Sequence, residues 1–350
     1  MHFLPIKIAG LAERPDWWKV RPAEIVGRAA SVRRGRPEVI AVTPGRYPVY
    51  AILYGDFNDG ELQNNWSAGS SSGNPASYYR RTGMKPTVLF LAGIHGAEAE
   101  SVAAAMNLVE TLETRADYRG DKHEKLVSLL EHYRLIVIPC ANMDGRALSP
   151  DHLKGASKTD FRIASQGAWL DGRLVDWLGS KEYFPLPLDQ VSYPGGYPNA
   201  EGFNIMHDGC PGHIRTAEAR GILQLVERYA VDFVLNGHSC ECEPMLLSPQ
   251  EYNYRSHQER ALRAYRAVNR ALFDAGLRTE AMSDPPRFDR GVNLNTLMTL
   301  ASGALVMTLE CCVSLRFSFE ELMQANFITL ETLLESGLAD PFVDRTVWKR

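Results

Sequence analysis

Hydrophobic residues along the chain gather in four short runs that do not alternate with polar residues. The runs are TVLFLA (87–92), RLIVIPC (134–140), VDFVLNG (231–237) and ALVMTLE (304–310). A strand with one wet face alternates apolar and polar side chains, whereas an uninterrupted apolar run is typical of a strand covered on both faces. The pattern therefore predicts four buried strands of a parallel or mixed sheet.

Helical spacing of apolar residues fills the intervals between these runs. The predicted helices cover about 97–115, 216–229, 257–275 and 318–335. Thr216 is suited to cap the start of the second helix, and the sequence DAG (274–276) is suited to end the third. Strands that alternate with helices indicate an α/β protein with right-handed crossovers.

Two other stretches interrupt this alternation. Residues 56–85 are rich in Gly, Ser and Asn and predict a long surface loop, and the proline, glycine and aromatic residues of 179–213 predict an ordered loop. Strand and helix patterns continue in the same style on both sides of each stretch. We therefore predict a single domain over residues 1–350, with its functional motifs between about 85 and 312.

Composition and charge exclude several classes of protein. The formal net charge is −4, so we expect no basic surface for nucleic acid. No apolar stretch reaches the roughly 18 residues of a membrane span, and the N-terminus lacks the apolar segment of a signal peptide. The 6 cysteines include closely spaced pairs, which favours free thiols and a cytoplasmic location.

Polar residues with catalytic chemistry stand at the ends of the four predicted strands. Ligands of open α/β sheets bind beyond the carboxyl ends of the strands, so these residues are expected to share one site. In strand order they are His95 and Glu98, then Asn142, Asp144 and Arg146, then His238 and Ser239, and last Glu310.

Two histidines and a glutamate are a ligand set of catalytic zinc sites, which keep a fourth position for water or substrate. His95 and Glu98 stand three residues apart in a predicted turn, and His238 comes from a distant strand. Zinc lowers the pKa of its water from about 15.7 to about 7 in favourable sites. Glu310 would take the proton and return it to the leaving amine. We therefore expect one Zn²⁺ ion.

Five segments, in order, resemble motifs of the zinc carboxypeptidase family, the carboxypeptidase A-like metallopeptidases. GIHGAE resembles the His-x-x-Glu zinc motif, and NMDGR resembles the Asn-Pro-Asp-Gly turn with Met143 in place of proline. TAEARG (216–221) resembles the Ser-Glu-Pro-Glu-Thr-Arg helix start, NGHS the segment with the second zinc histidine, and MTLE the segment with the catalytic base.

The resemblance implies roles for these residues. His95, Glu98 and His238 would bind zinc, and Glu310 would act as general base and then general acid. It also implies one domain with a mixed, largely parallel sheet of about eight strands flanked by helices. The expected substrate is a peptide or an acyl-amino-acid-like molecule.

Departures from the family pattern concern substrate recognition. The family binds a terminal carboxylate with an Asn-Arg pair. Asn204 matches the asparagine, but Ile205 stands where the arginine is expected. Isoleucine cannot bind a carboxylate with two hydrogen bonds as arginine does. For the arginine that stabilises the oxyanion, Arg162 is the first choice and Arg146 the alternative. Phe288 stands near the expected capping tyrosine. Candidates to replace the clamp are Arg162, Arg215, Arg287 and Arg290.

Further residues have both functional and structural interpretations. His207 and Ser239 could contact substrate, as could Asn204, Arg146 and Arg290. Cys240 and Cys242 are either shielded thiols or ligands of a soft metal, and Glu218 and Arg220 are expected to form a salt bridge at a helix start. Three functions remain: a carboxypeptidase-like zinc hydrolase, a small-molecule deacylase or amidase of the same fold, and a non-catalytic binding relative.

Overall fold

The computed structural model describes residues 3–57, 66–72, 84–209, 212–247, 255–281, 292–313 and 316–342. Its strands are β1 (Arg36–Val42), β2 (Pro48–Tyr54), β3 (Thr87–Ala92), β4 (Arg134–Ile138), β5 (Ala168–Trp169), β6 (Val191–Tyr193), β7 (Phe233–Cys240), β8 (Met245–Leu246) and β9 (Leu305–Cys312). Seven of these strands form one mixed sheet in the order β1-β2-β4-β3-β7-β9-β8, and β5 and β6 pair separately.

Helices cover this sheet and connect its strands. They are α1 (Pro22–Ala30), α2 (Trp66–Ser72), α3 (Ala99–Thr114), α4 (Glu124–Leu130), α5 (Met143–Leu148), α6 (Lys158–Gln166), α7 (Gly179–Glu182), α8 (Ala217–Arg228), α9 (Arg255–Asp274), α10 (Leu294–Ser302) and α11 (Phe319–Ala339). A short 3-10 helix spans Ile205–His207. None of the described helices is both long and apolar enough to cross a membrane.

The four apolar runs of the sequence form the parallel centre of the sheet. They become β3, β4, β7 and β9, which pair in parallel, while β1, β2 and β8 are antiparallel to their neighbours. The predicted mixed, largely parallel α/β fold is therefore confirmed. The described residues contribute seven strands to the main sheet, where the family resemblance implied about eight.

The four predicted helices are also present, as α3, α8, α9 and α11. The Thr216 side chain accepts a hydrogen bond from the Ala219 N–H and so caps α8 as predicted. Within the stretch 179–213, α7, β6 and the 3-10 helix form an ordered connection. In the predicted loop 56–85, residues 66–72 form α2, and residues 58–65 and 73–83 lie outside the described part of the chain.

Helices lie on both faces of the sheet, and side-chain alternation along β7 shows which face carries the polar residues. Asn236 donates a hydrogen bond to Asn295 of α10 at 2.9 Å. The next residue, Gly237, faces the other side, where a Cβ atom would lie 2.4 Å from Ser101 of α3. Because successive strand residues alternate between faces, His238 shares the α10 side of the sheet with Asn236.

Candidate metal centre

A sharp turn between β3 and α3 carries His95 and Glu98. Gly93 has a φ of +62°, a backbone conformation that residues with a side chain rarely adopt. At Gly96, a Cβ atom would lie only 2.1 Å from the backbone nitrogen of Arg146. The turn therefore needs glycine at both positions. The Gly96 N–H donates a hydrogen bond to the Gly196 carbonyl at 2.7 Å, which joins the turn to the 179–213 stretch.

The two histidines converge on the Glu98 carboxylate. His95 Nδ1 lies 2.9 Å from Glu98 Oε1, and His238 Nδ1 lies 3.1 Å from Glu98 Oε2. One ligand atom from each of the three residues lies within 4.8 Å of the other two, and all three side chains are buried. The Ser239 N–H donates to Glu98 Oε2 at 3.1 Å, so the strand that carries His238 also holds the carboxylate.

Asn204 contacts His95 at Nε2, the ring nitrogen that faces away from Glu98. Its side-chain Oδ1 lies 3.3 Å from His95 Nε2 and also accepts from the Met206 N–H. An amide oxygen is only an acceptor, so a hydrogen bond from His95 Nε2 to Asn204 would leave a lone pair at Nδ1 for a metal ion. Asn204 was expected to contact substrate; its side chain instead contacts His95 and is not among the described residues that line the cavity.

This donor arrangement fits a metal ion. His95 Nδ1 lies 2.9 Å from a carboxylate oxygen of Glu98, so a cation could be held between these atoms in place of a shared proton. Burial opposes the charge of Glu98, but its interactions with His95 and His238 lower its pKa to about 2. The buried set of two imidazoles and one carboxylate, with one imidazole held at its far nitrogen, matches zinc chemistry.

Glu310 lies beside His238 on the neighbouring strand. The two residues are register partners of the parallel pair β7 and β9, so their side chains emerge on the same face of the sheet. Glu310 Oε2 is buried and has no hydrogen-bond partner among the described residues. Burial raises the pKa of Glu310 well above its usual range, Cys240 and Glu98 raise it further, and the charge of His238 lowers it. A cation nearby would favour the ionised form.

These residues open into a cavity of about 450 Å³. It is large enough for a small molecule or the end of a peptide. Its described lining comprises His95, Glu98, Phe161, Arg162, Trp177, Lys181, Tyr197, Met206, His207, His238, Ser239, Cys240, Leu247, Asn293, Asn295, Val306, Met307, Thr308 and Glu310.

The two arginines considered for the oxyanion have different surroundings. Arg162 lies on α6, lines the cavity and forms an ion pair with Glu241. Arg146 is 1% exposed and donates to the Pro150 carbonyl, and two of its other nitrogens have no partner among the described residues. It lies outside the described lining of the cavity, so the expected substrate contact of Arg146 is not supported.

The short 3-10 helix decides which residue faces the substrate space. Ile205 is fully buried in the hydrophobic core, whereas His207 lines the cavity. Burial, together with the positive charges of His95 and Lys181, lowers the pKa of His207 to about 3, so this imidazole is neutral at pH 7. Met206 and a neutral histidine thus stand near the metal residues where a carboxylate clamp was sought.

The other clamp candidates do not complete a second arginine site. Arg215 holds Asp208 through its backbone N–H and is absent from the described cavity lining. Arg287, Phe288 and Arg290 lie outside the described residues. The remaining cation of the described lining is Lys181, whose Nζ lies 4.1 Å from the centre of the Trp177 ring.

Two further expectations concern the neighbours of the site. The Cys240 and Cys242 sulfur atoms lie 3.0 Å apart, and no metal-binding group of three among the described residues includes them. The expected salt bridge between Glu218 and Arg220 is wrong, because Asn199 donates to Glu218 while Arg220 donates to backbone carbonyls. Each of the two side chains forms its hydrogen bonds with other groups, and they do not pair with each other.

Tyr197 is a site residue that the sequence did not indicate. Its ring stacks on the His95 ring with centroids 4.0 Å apart and an angle of 30° between the planes. Asn142 donates from its side chain to the Tyr197 and Pro198 carbonyls at 2.9 and 3.1 Å. No local signal marks this tyrosine, because its position depends on the packing of the 179–213 stretch against the NMDGR turn.

Part of the chain matches a known protein family. The family model described as zinc carboxypeptidase matches residues 63–174, a range that includes His95 and Glu98 but ends before His238. Among curated protein sequences, none matches the chain.

Solved structures, among them two metallo-carboxypeptidases, share the fold. A metallo-carboxypeptidase from Burkholderia cenocepacia has a TM-score of 0.56 and 13% identity, over 91% of this chain and 68% of that one. One from Pseudomonas aeruginosa, in complex with (2-guanidinoethylmercapto)succinic acid, has a TM-score of 0.55 and 15% identity, over the same shares of 91% and 68%. Thrombin activatable fibrinolysis inhibitor has a TM-score of 0.53 and 13% identity, over 91% of this chain and 73% of that one.

The protein thus has a carboxypeptidase-like α/β fold, and a buried His-Glu-His group lies at the edge of its sheet. Residues 63–174 match the zinc carboxypeptidase family model, and the described chain shares the fold of solved metallo-carboxypeptidases.

Proposed function

We propose that the protein is a zinc-dependent hydrolase that cleaves an amide or peptide bond with a water molecule. The observation that supports this function most is the convergence of His95, Glu98 and His238 beside Glu310 in one buried cavity. A binding protein would gain nothing from a second buried carboxylate next to the ligand set, because burying it costs several kcal/mol.

Each residue would have a distinct task. His95, Glu98 and His238 would hold the ion, which would supply Lewis acidity to a carbonyl group and to water. Glu310 would take a proton from the attacking water molecule and deliver it to the departing amine. Its position beside His238 on the adjacent strand keeps the base next to the ligand set without making it a member.

Arg162 is the proposed partner of the carbonyl oxygen as that oxygen gains negative charge. It lines the cavity, and its ion pair with Glu241 holds the guanidinium in place. A guanidinium has five N–H donors, so this ion pair leaves donors for a substrate oxygen. Preorganised positive charge at this point is worth several kcal/mol of barrier.

Metal analysis of protein purified without chelator tests the ligand set. We expect about one zinc per chain for the wild type and a loss of zinc in His95→Ala. His132→Ala is the matched control, because His132 is exposed and belongs to neither group of described residues that could hold a metal ion, the second group being Asp117, Asp121 and His123. Less than about half an equivalent of zinc in the wild type, with no gain on reconstitution, would overturn the proposal.

Glu310→Gln separates metal binding from chemistry. The variant should keep its zinc and lose about 10²- to 10⁴-fold in kcat, because glutamine cannot accept the proton. Glu243→Gln is the control, since Glu243 accepts hydrogen bonds from Thr279 and lies outside the described lining of the cavity. Turnover in Glu310→Gln equal to that of the wild type would remove Glu310 from the mechanism.

A small-molecule deacylase or amidase is the second candidate function. It is favoured by the core position of Ile205 and by the neutral His207 in the cavity, because neither side chain can grip a carboxylate as arginine does. N-benzoyl-glycyl-phenylalanine, its C-terminal amide and N-benzoyl-phenylalanine distinguish the two. A strict need for the free carboxylate of the dipeptide would favour a carboxypeptidase, and equal cleavage of the amide would favour the alternative.

A further inference from the structure

Tyr197 forms one wall of the cavity directly against a metal-binding residue. Its ring covers one face of His95 at a centroid distance of 4.0 Å, and the Trp177 ring meets it edge-on at 5.8 Å. Because both neighbours are rings in contact with it, the phenol has little freedom to rotate away from the metal-binding residues.

The backbone of Tyr197 is fixed as firmly as its ring. Its N–H donates to the Ser165 carbonyl at 3.0 Å, and its own carbonyl accepts from the Asn142 side chain at 2.9 Å. Asn142 in turn accepts from the Gly145 N–H at the start of α5. The tyrosine is thus tied to the turn that follows β4, and its hydroxyl is held in one place before any substrate arrives.

The hydroxyl of this buried residue lacks a partner. Tyr197 is 4% exposed, yet within the described ranges its hydroxyl makes no hydrogen bond. The charged side chains that act on the hydroxyl include Glu98, Glu310 and Arg162. A phenol with an ordinary pKa of about 10 is a neutral donor at pH 7. The hydroxyl is not among the buried polar atoms of the described residues that lack a partner, so it opens to the cavity that Tyr197 lines, where a bound acceptor could meet it.

We propose that Tyr197 is a catalytic residue whose neutral hydroxyl donates a hydrogen bond to the carbonyl oxygen of the scissile bond as that oxygen gains charge. This role rests on the proposed hydrolase function. The phenol keeps its proton throughout, so no bond to Tyr197 forms or breaks. Arg162, on the same cavity, would supply charge to the oxygen, and Tyr197 would supply a directed donor from the His95 side.

Tyr197→Phe removes the hydroxyl and keeps the ring on His95. We expect unchanged zinc content and Tm, a kcat about 100-fold lower, and a KM within about threefold of the wild type. Affinity for the phosphinate isostere of the best substrate, measured by calorimetry, should fall by the same factor as kcat/KM, because the isostere carries the charged oxygens of the transition state. Product affinity should not change.

Tyr193→Phe is the matched control on the same segment. Its hydroxyl donates to the Leu148 carbonyl at 3.0 Å and lies outside the described lining of the cavity, so kcat should stay at the wild-type value. If the wild type is active and Tyr197→Phe is equally active, the role of Tyr197 is refuted and the hydrolase function stands. A zinc-loaded wild type that neither turns over the panel nor binds the phosphinate would refute the hydrolase function itself, and the role of Tyr197 with it.

Discussion

Replacing Glu218 by glutamine should stabilise the protein above about pH 7 and have little effect near pH 4. Glu218 lies in the first turn of α8 and is 0% exposed. Its Oε1 accepts from the Asn199 side chain at 3.2 Å, and its Oε2 has no partner among the described residues. The carboxyl group is therefore half satisfied and fully removed from water.

Opposing effects act on the charge of this carboxyl group. Burial raises the pKa of Glu218 from 4.5 to about 7, hydrogen bonds from its own backbone N–H and from Asn199 lower it, and the charges of Asp144 and Glu201 raise it. A helix N-terminus favours an anion by only about 0.3–1 kcal/mol, and up to about 2 when partly buried. Burying a charge costs several kcal/mol, so burial decides the direction.

The size and pH range of the effect follow from that shift. The folded state holds the proton more tightly than the unfolded chain, so stability from this group is complete below pH 4.5 and is lost as the pH rises to about 7. At about 1.36 kcal/mol per pKa unit, the loss is on the order of 3 kcal/mol. Glutamine has no proton to lose, so Glu218→Gln should gain this amount relative to the wild type.

Urea unfolding of both proteins across the range from about pH 4.5 to about pH 8.5 measures the difference in free energy of unfolding. Taking the difference cancels the other titrating groups, which the two proteins share. The control is Glu113→Gln, because Glu113 accepts from the backbone N–H groups of Arg33, Arg34 and Gly35 at 2.7, 3.0 and 2.8 Å. Those bonds overcome the effect of burial and lower the pKa of Glu113.

For Glu113→Gln we expect the opposite pH dependence. The wild type gains stability from the ionised carboxylate above the unfolded pKa and loses it as the pH falls, so the variant should be less stable at high pH. If instead Glu218→Gln differed from the wild type by the same amount at about pH 5 and about pH 8.5, the buried carboxyl would not titrate as inferred.

Three further predictions concern the metal centre and its turn. Asn204→Ala should weaken zinc affinity about 10- to 100-fold in chelator competition, whereas Asn204→Asp, which still accepts from His95 Nε2, should retain it. Gly96→Ala should lower the Tm by several degrees in thermal unfolding, because its Cβ atom would lie 2.1 Å from the backbone nitrogen of Arg146. Gly27→Ala is the control: a Cβ atom there would meet nothing within 4 Å, so the variant should stabilise α1 by about 0.5–1 kcal/mol. Free zinc at about 100 times its Kd should add about 2.7 kcal/mol of stability, and a Tm that ignores zinc concentration would contradict specific binding.

Much of the fold could be predicted because burial leaves a local trace in the sequence. A strand covered on both faces must be apolar throughout, so β3, β4, β7 and β9 were visible as runs. Polar residues at the ends of such apolar runs are conspicuous for the same reason. This contrast marks His95, Glu98, His238 and Glu310 as one group. The edge strands β1 and β2 are partly exposed and gave a weaker pattern.

Substrate-side residues could not be predicted in the same way, because their orientation depends on rotation within short elements. A 3-10 helix turns about 120° per residue, so Ile205 and His207 point to different sides although only one residue separates them. The sequence order of Asn204 and Ile205 suggested a failed clamp. The backbone instead directs Ile205 into the core and His207 into the cavity.

The amino-acid sequence alone determined the α/β class, the parallel centre of the sheet and the four residues at its edge, since each follows from the spacing of apolar and polar side chains. Only the tertiary structure decided that Asn204 contacts the far nitrogen of His95 across 109 residues, and that Asn142 holds Tyr197 against the same histidine. These contacts join segments that are far apart along the chain, and no local pattern of burial records which distant groups will meet.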